Sequence, residues 1–279
     1  MNIGIRLHDT APGTLEQRLA FAAAQGFTCE HLALSKAVDG FQMAEAPTLL
    51  TQALADQVSE AHRKAGLSGA VLGCYLNLAD PDEESRQRTQ AIYRAHLRFA
   101  PMIGAGVVGT ETYANPKSRF ARPPQEDEDA FRLFLSSLKT VIRFAEEAGA
   151  ILAVEPVWSH IISTPARAER MLEEIHSDHL KIILDAVNLL SPEGTARADE
   201  IIAEAIRRLG DQVRVLHMKD YTLSPEGTVE ASACGTGAMR YERLLSFARS
   251  GNLPMTLENT VPENAQAARL HLEALAASL

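Results

Sequence analysis

Four side chains able to bind a divalent metal recur through the second half of the chain. They are Glu155 in Ile-Leu-Ala-Val-Glu-Pro, Asp185 in Ile-Ile-Leu-Asp, His217 in Val-Leu-His-Met-Lys-Asp and Glu258 in Met-Thr-Leu-Glu-Asn. Each lies at or near the end of a short apolar run of the kind that forms a buried strand. A buried strand ending on a carboxylate carries an ion that is very costly unless something compensates its charge, and a cation shared by all four would do so. Each residue alone has a plainer explanation, as a helix cap or a core histidine. Their coincidence in four consecutive runs favours a metal site. Three carboxylates and one imidazole are a hard, oxygen-rich set that suits one divalent ion, Mn²⁺ first, with Mg²⁺, Co²⁺ or Zn²⁺ as alternatives, and leaves positions open for substrate oxygens. A metal that chelates a carbonyl oxygen and a neighbouring hydroxyl polarises the C–H between them, and an adjacent carboxylate can remove that proton to give a metal-held enediolate. Return of the proton from the opposite face gives epimerisation, and return to the neighbouring carbon gives aldose–ketose isomerisation.

Such convergence requires a frame that brings distant strand ends together. Separations of 30, 32 and 41 residues between successive members each match about one strand–helix unit. Strand-like runs at 2–8, 29–34, 68–76, 106–112, 150–155, 181–185, 213–220 and 254–258 alternate with helical stretches at 14–25, 49–65, 83–103, 126–147, 166–175, 199–209, 241–250 and 263–277. Gly26, Gly66, Gly104, Gly149, Gly210 and Gly251 stand at helix ends, where glycine accepts the left-handed turn. Eight units in 279 residues predict an α/β fold, a (β/α)8 TIM barrel over 1–279 as one domain. A doubly wound open sheet is the alternative, but no strand is followed by a GxGxxG or Walker-type loop. The polar loops 115–125 and 225–237 follow strands, on the side where barrels build active sites.

The formal charge of −9 argues against nucleic acid or a membrane surface as partner. The longest uncharged apolar run, 99–109, is about half of what spans a bilayer. Cys29, Cys74 and Cys234 show no CxxC spacing, which fits reduced thiols and a cytoplasmic location.

Val-Glu-Pro, Leu-Asp-Ala-Val-Asn-Leu-Leu, His-Met-Lys-Asp, Gly-Thr-Gly and Leu-Glu-Asn, in this order and spacing, resemble the xylose-isomerase-like TIM barrel superfamily, within it the sugar phosphate isomerase/epimerase group. Ile-Gly-Ile-Arg-Leu-His-Asp, Gly-Cys-Tyr-Leu-Asn-Leu-Ala and Val-Val-Gly-Thr-Glu-Thr extend the resemblance over nearly the whole chain. It implies that Glu155, Asp185, His217 and Glu258 bind the metal, and that Glu155 and Glu258 face a sugar or polyol from opposite sides as the acid/base pair. Ketose 3-epimerases of the group place a substrate-binding His three residues after the strand-six Asp, where this chain has Asn188, which is therefore a substrate-binding candidate. They also carry an Arg beyond the strand-seven His, where Tyr221, Thr222 and Leu223 stand here. Relatives of this kind assemble, and the alanine- and leucine-rich helix faces suit a homodimer or homotetramer.

Other polar residues are expected at the same mouth. Glu111 and His8, at the ends of strands four and one, and His160, in the loop after Glu155, are candidates for substrate hydroxyls; a cap, a salt bridge or an exposed loop position would explain each equally well. Tyr75 or Asn77 could reach the pocket, Asp220 could orient His217, and Trp158 could wall the site. Gly235-Thr236-Gly237 with Arg240 could hold a phosphate or simply form a turn. Three rival functions remain. An abasic-site nuclease is disfavoured by charge and by strands two and three, whose ends near Leu34 and Leu76 lack histidines. An inositol-catabolism-type dehydratase would use the same metal site to expel a β-hydroxyl as water. A non-catalytic barrel would have no need of an intact ligand set.

Overall fold

The computed structural model describes residues 1–112 and 126–279; the loop 115–125 lies outside the described residues. Ten strands occur among them: β1 (Ile3–Arg6), β2 (Cys29–Leu32), β3 (Ser68–Gly73), β4 (Val107–Glu111), β5 (Leu152–Glu155), β6 (Leu180–Asp185), β7 (Val213–Met218), β8 (Asp220–Leu223), β9 (Val229–Ser232) and β10 (Met255–Leu257). Eight of them close a barrel in the order β1-β10-β7-β6-β5-β4-β3-β2, every neighbour parallel. The expected (β/α)8 barrel is therefore present.

Alternation along the strands explains the two cores. Cys29, Val71, Val107, Ala153, Ile183 and Val215 form a small cluster inside the barrel. Residues of opposite parity, such as Leu152, Val154, Ile182, Leu184 and Leu216, point outward and pack under the helices. The interior is tight: a Cβ on Gly109 would lie 2.7 Å from Val71 Cγ1 and 2.9 Å from Ile183 Cδ1, so a larger residue there would force these side chains to move. Helices start on side-chain caps, including Thr14 with Gln17 in a capping box, Thr51, Asp82, Asp127 and Thr164.

Some boundaries differ from expectation. Gly26, Gly66, Gly104 and Gly149 do take left-handed backbone. Gly210 instead begins the 3₁₀ turn Gly210–Gln212, and Gly251 stays helical while Asn252 takes the left-handed turn, as asparagine tolerates. The stretch expected as loop 225–237 contains β9, which pairs antiparallel with β8 to form a hairpin beyond β7. Among the described residues, no helix is long and apolar enough to cross a membrane.

Candidate metal centre

Moving two residues from each interior position toward the C-terminal end of its strand reaches one polar layer. Ala153 leads to Glu155, Ile183 to Asp185, Val215 to His217 and Cys29 to His31. The same step takes Gly4 to Arg6, Gly109 to Glu111 and Thr256 to Glu258. Neighbouring strands hold these groups in register, with Arg6 opposite His31, Glu111 opposite Glu155, and Asp185 opposite His217. Glu258 lies just past β10, its N–H donating to Met218 O at 3.0 Å. All four expected residues thus meet at one point, each buried.

The carboxylates are held from behind. Asn188 Nδ2 donates to Glu155 Oε1 at 2.6 Å, and Asn188 N–H donates to Asp185 Oδ1 at 3.0 Å. Glu258 Oε2 accepts from Arg6 Nη1 at 3.3 Å and from Lys219 Nζ at 3.2 Å. Their other oxygens face inward: Glu155 Oε2 and Glu258 Oε1 lie 3.0 and 3.3 Å from His217 Nδ1, and Asp185 Oδ2 lies 2.9 Å from Lys219 Nζ. Glu258 Oε1 is also 3.4 Å from His31 Nδ1, and the His31 and His217 rings stack with centroids 5.1 Å apart. Neither ring nitrogen of either histidine has a well-directed hydrogen-bond partner among the described residues. Buried nitrogens without such a partner, facing carboxylate oxygens anchored by their own supports, fit a divalent cation. Ligand atoms of Glu155, Asp185 and His217, and again of His31, His217 and Glu258, lie within 4.8 Å of one another.

These neighbours set the protonation states. Burial pushes Glu258 up, but His217, Lys219, His31 and Arg6 outweigh it and hold the carboxyl well below its usual range. Glu155 is likewise lowered, with burial opposed chiefly by His217. Burial lowers His217, yet Glu258, Glu155 and Asp185 raise it to about 9. Asp185 is pushed up to about 6 by burial despite Lys219, and Glu111 to about 8 by burial and the charge of Glu155.

The secondary candidates divide. Glu111 joins the layer, with His160 Nδ1 3.8 Å from its Oε2. Asn188 supports two of the carboxylates. His8 sits in the 3₁₀ turn Leu7–Asp9 rather than on β1, so Arg6 is the β1 residue that reaches the centre. Burial and the charges of Arg6 and His31 lower His8 to about 4, and burial lowers His160 to about 4. Tyr75 borders His31 at 5.6 Å between rings, whereas Asn77 accepts from Ala79 N–H in its own loop. The Trp158 N–H donates to Asn188 O and ties two loops together. Asp220 does not orient His217. Its carboxylate accepts from the N–H groups of Tyr221, Met239 and Gly235 at 2.8, 2.8 and 3.0 Å, and pins the hairpin. The Gly235 and Met239 amides are therefore already engaged, which removes much of the phosphate cradle suggested by Gly-Thr-Gly.

Three residues of the centre escaped the sequence reading. His31 was hidden by extending strand two to Leu34, although it shares a face with Cys29 and is the last residue of β2 on that face. This corrects the view that strand two brings no histidine to the mouth. Lys219 and Arg6 were both signalled by parity, as the second residues after His217 and Gly4.

A family model described as xylose isomerase-like TIM barrel matches residues 19–277. A D-psicose 3-epimerase of Enterocloster bolteae is 26% identical over 145 residues, 51% of this chain and 46% of that protein, so the match spans about half the length of this curated relative. Among solved structures, 3-keto-D-glucoside 4-epimerase from E. coli superposes with a TM-score of 0.75 at 18% identity, over 98% of this chain and 99% of that one. A xylose isomerase-like TIM barrel protein from Mycobacterium smegmatis in complex with magnesium gives 0.70 at 17% identity, over 99% and 94% of the two chains.

Proposed function

The chain belongs to the xylose isomerase-like TIM barrel family, and from that premise we propose that it is a divalent-metal-dependent isomerase or epimerase of a small sugar. The observation that carries this reading is the pair Glu155 and Glu258, placed either side of His217 with one oxygen of each anchored and the other turned to the shared centre. When bound, the metal supplies charge that acidifies the C–H beside a substrate carbonyl. The remaining work falls to the protein. Arg6, Lys219 and His217 keep Glu258 ionised, so its Oε1 is the base. Asn188 aims Glu155 from the other side as the second member of the acid/base pair, beside its register neighbour Glu111, whose carboxyl is pushed up to about 8 by burial and the charge of Glu155. Burial of both carboxylates excludes water from the transfer. A mouth lined with carboxylates suits a polyhydroxy compound better than a nucleic acid backbone.

The test is solvent deuterium incorporation into a panel of free and phosphorylated ketoses, followed by NMR, with Mn²⁺ and after chelation. Metal-dependent exchange at a carbon beside the carbonyl supports the reading, and the labelled position separates epimerase from isomerase. Loss of water from a substrate without exchange would replace it with a dehydratase.

A further inference from the structure

A buried histidine in a structural role engages at least one ring nitrogen here, as His96 does through Nδ1, 2.9 Å from Ile92 O. His62, on the helix Gln52–Ala65, shows this: Nδ1 lies 2.9 Å from Val58 O and Nε2 3.0 Å from Glu30 Oε1. His31, the very next residue after Glu30, does not. Its side chain is 3% exposed, yet neither nitrogen has a well-directed hydrogen-bond partner among the described residues, a costly arrangement for a buried polar ring unless something else engages it. Its Nδ1 faces Glu258 Oε1 at 3.4 Å, the same oxygen that His217 Nδ1 faces at 3.3 Å. The two rings are within 15° of parallel. Space for the ring is built in, because a Cβ on Gly73 would come within 2.9 Å of His31 Nε2.

We infer that His31 is a fifth protein ligand of the metal centre, giving two imidazoles and three carboxylates. This rests on the metal-dependent reading above and adds a strand-two donor to it. A second imidazole moves the preference from hard Mg²⁺ toward Co²⁺ or Zn²⁺, which bind nitrogen better.

X-ray absorption on the Zn²⁺-loaded, unaltered full-length protein counts imidazoles directly, and two are expected. His31→Ala and His31→Gln should show one, with Co²⁺ affinity reduced on the order of 100-fold, at least the loss seen when a ligand's supporting partner is removed, and Mg²⁺ affinity changed only a few-fold. One imidazole in the unaltered protein, or Co²⁺ affinity unchanged in both variants, overturns the inference. His217→Ala is the control: if it alone abolishes binding while His31 variants bind normally, only the role of His31 falls. If the unaltered protein binds no divalent ion, the metal-dependent reading falls with it.

Discussion

Lys219 is a buried ammonium amid metal-ligand candidates, 2.9 Å from Asp185 and 3.2 Å from Glu258. The carboxylates raise its pKa above the ordinary lysine value, against the effect of burial. Replacing it with the similarly sized, uncharged Met removes one of the few fixed positive charges near three buried carboxylates. At an effective dielectric of 20, a pair about 3 Å apart interacts by about 5 kcal/mol. Much of that is offset by desolvating the ammonium, and removing one partner of such a buried pair typically costs about 3–5 kcal/mol. Against a total stability of about 5–15 kcal/mol, this is large. A divalent ion replaces the missing charge, and at a thousandfold excess over its Kd adds about 4 kcal/mol of stability. Lys219→Met is therefore expected to lower the chelated protein's urea midpoint strongly and to gain more from Zn²⁺ or Co²⁺ than the unaltered chain does. A loss below about 1 kcal/mol in chelator, with equal metal responses, refutes the view that Lys219 is the counter-charge of the metal-free centre.

Glu155→Gln and Glu258→Gln should each lower turnover about 10²–10⁴-fold while circular dichroism retains the barrel signal; a fully active variant at either position ends the acid/base assignment. Glu30 and His62 provide a pH test away from the mouth. Burial raises Glu30, and His62 is raised by Glu30 against the effect of burial, so the folded state binds protons more tightly than the unfolded chain at both. The contribution of Glu30 is full below its ordinary value of 4.5 and that of His62 below 6.5, and each fades as pH rises from there through its raised value, by up to about 1.4 kcal/mol per pH unit for each proton. In urea titrations, the double variant Glu30→Gln with His62→Gln should lose that slope, and an unchanged slope refutes the assignment. Asp220→Ala removes the acceptor of three backbone N–H groups. Amide exchange in β8 and β9 should quicken by more than tenfold, since hydrogen bonds to a charged group are worth about 1.5–3 kcal/mol each; protection equal to the parent's would show that the hairpin stands without it.

The barrel was legible because its signals are local. Strand-like apolar runs, cap residues and most terminal glycines report on their own few residues, and their repetition specified eight units. Glu155, Asp185, His217 and Glu258 were legible for the same reason, each being an ion placed where a buried strand cannot hold one unaided. Sequence did not reveal which groups surround those ions. His31 sits 227 positions from Glu258 and Arg6 sits 252, and only closure of β1 and β2 against β10 brings them together. Asp220 read equally well as a partner of His217 until the hairpin folded its backbone amides onto the carboxylate. Strand parity decides which way a side chain points; which charges it meets, and hence its proton affinity, depends on distances of a few ångströms between strands remote in sequence.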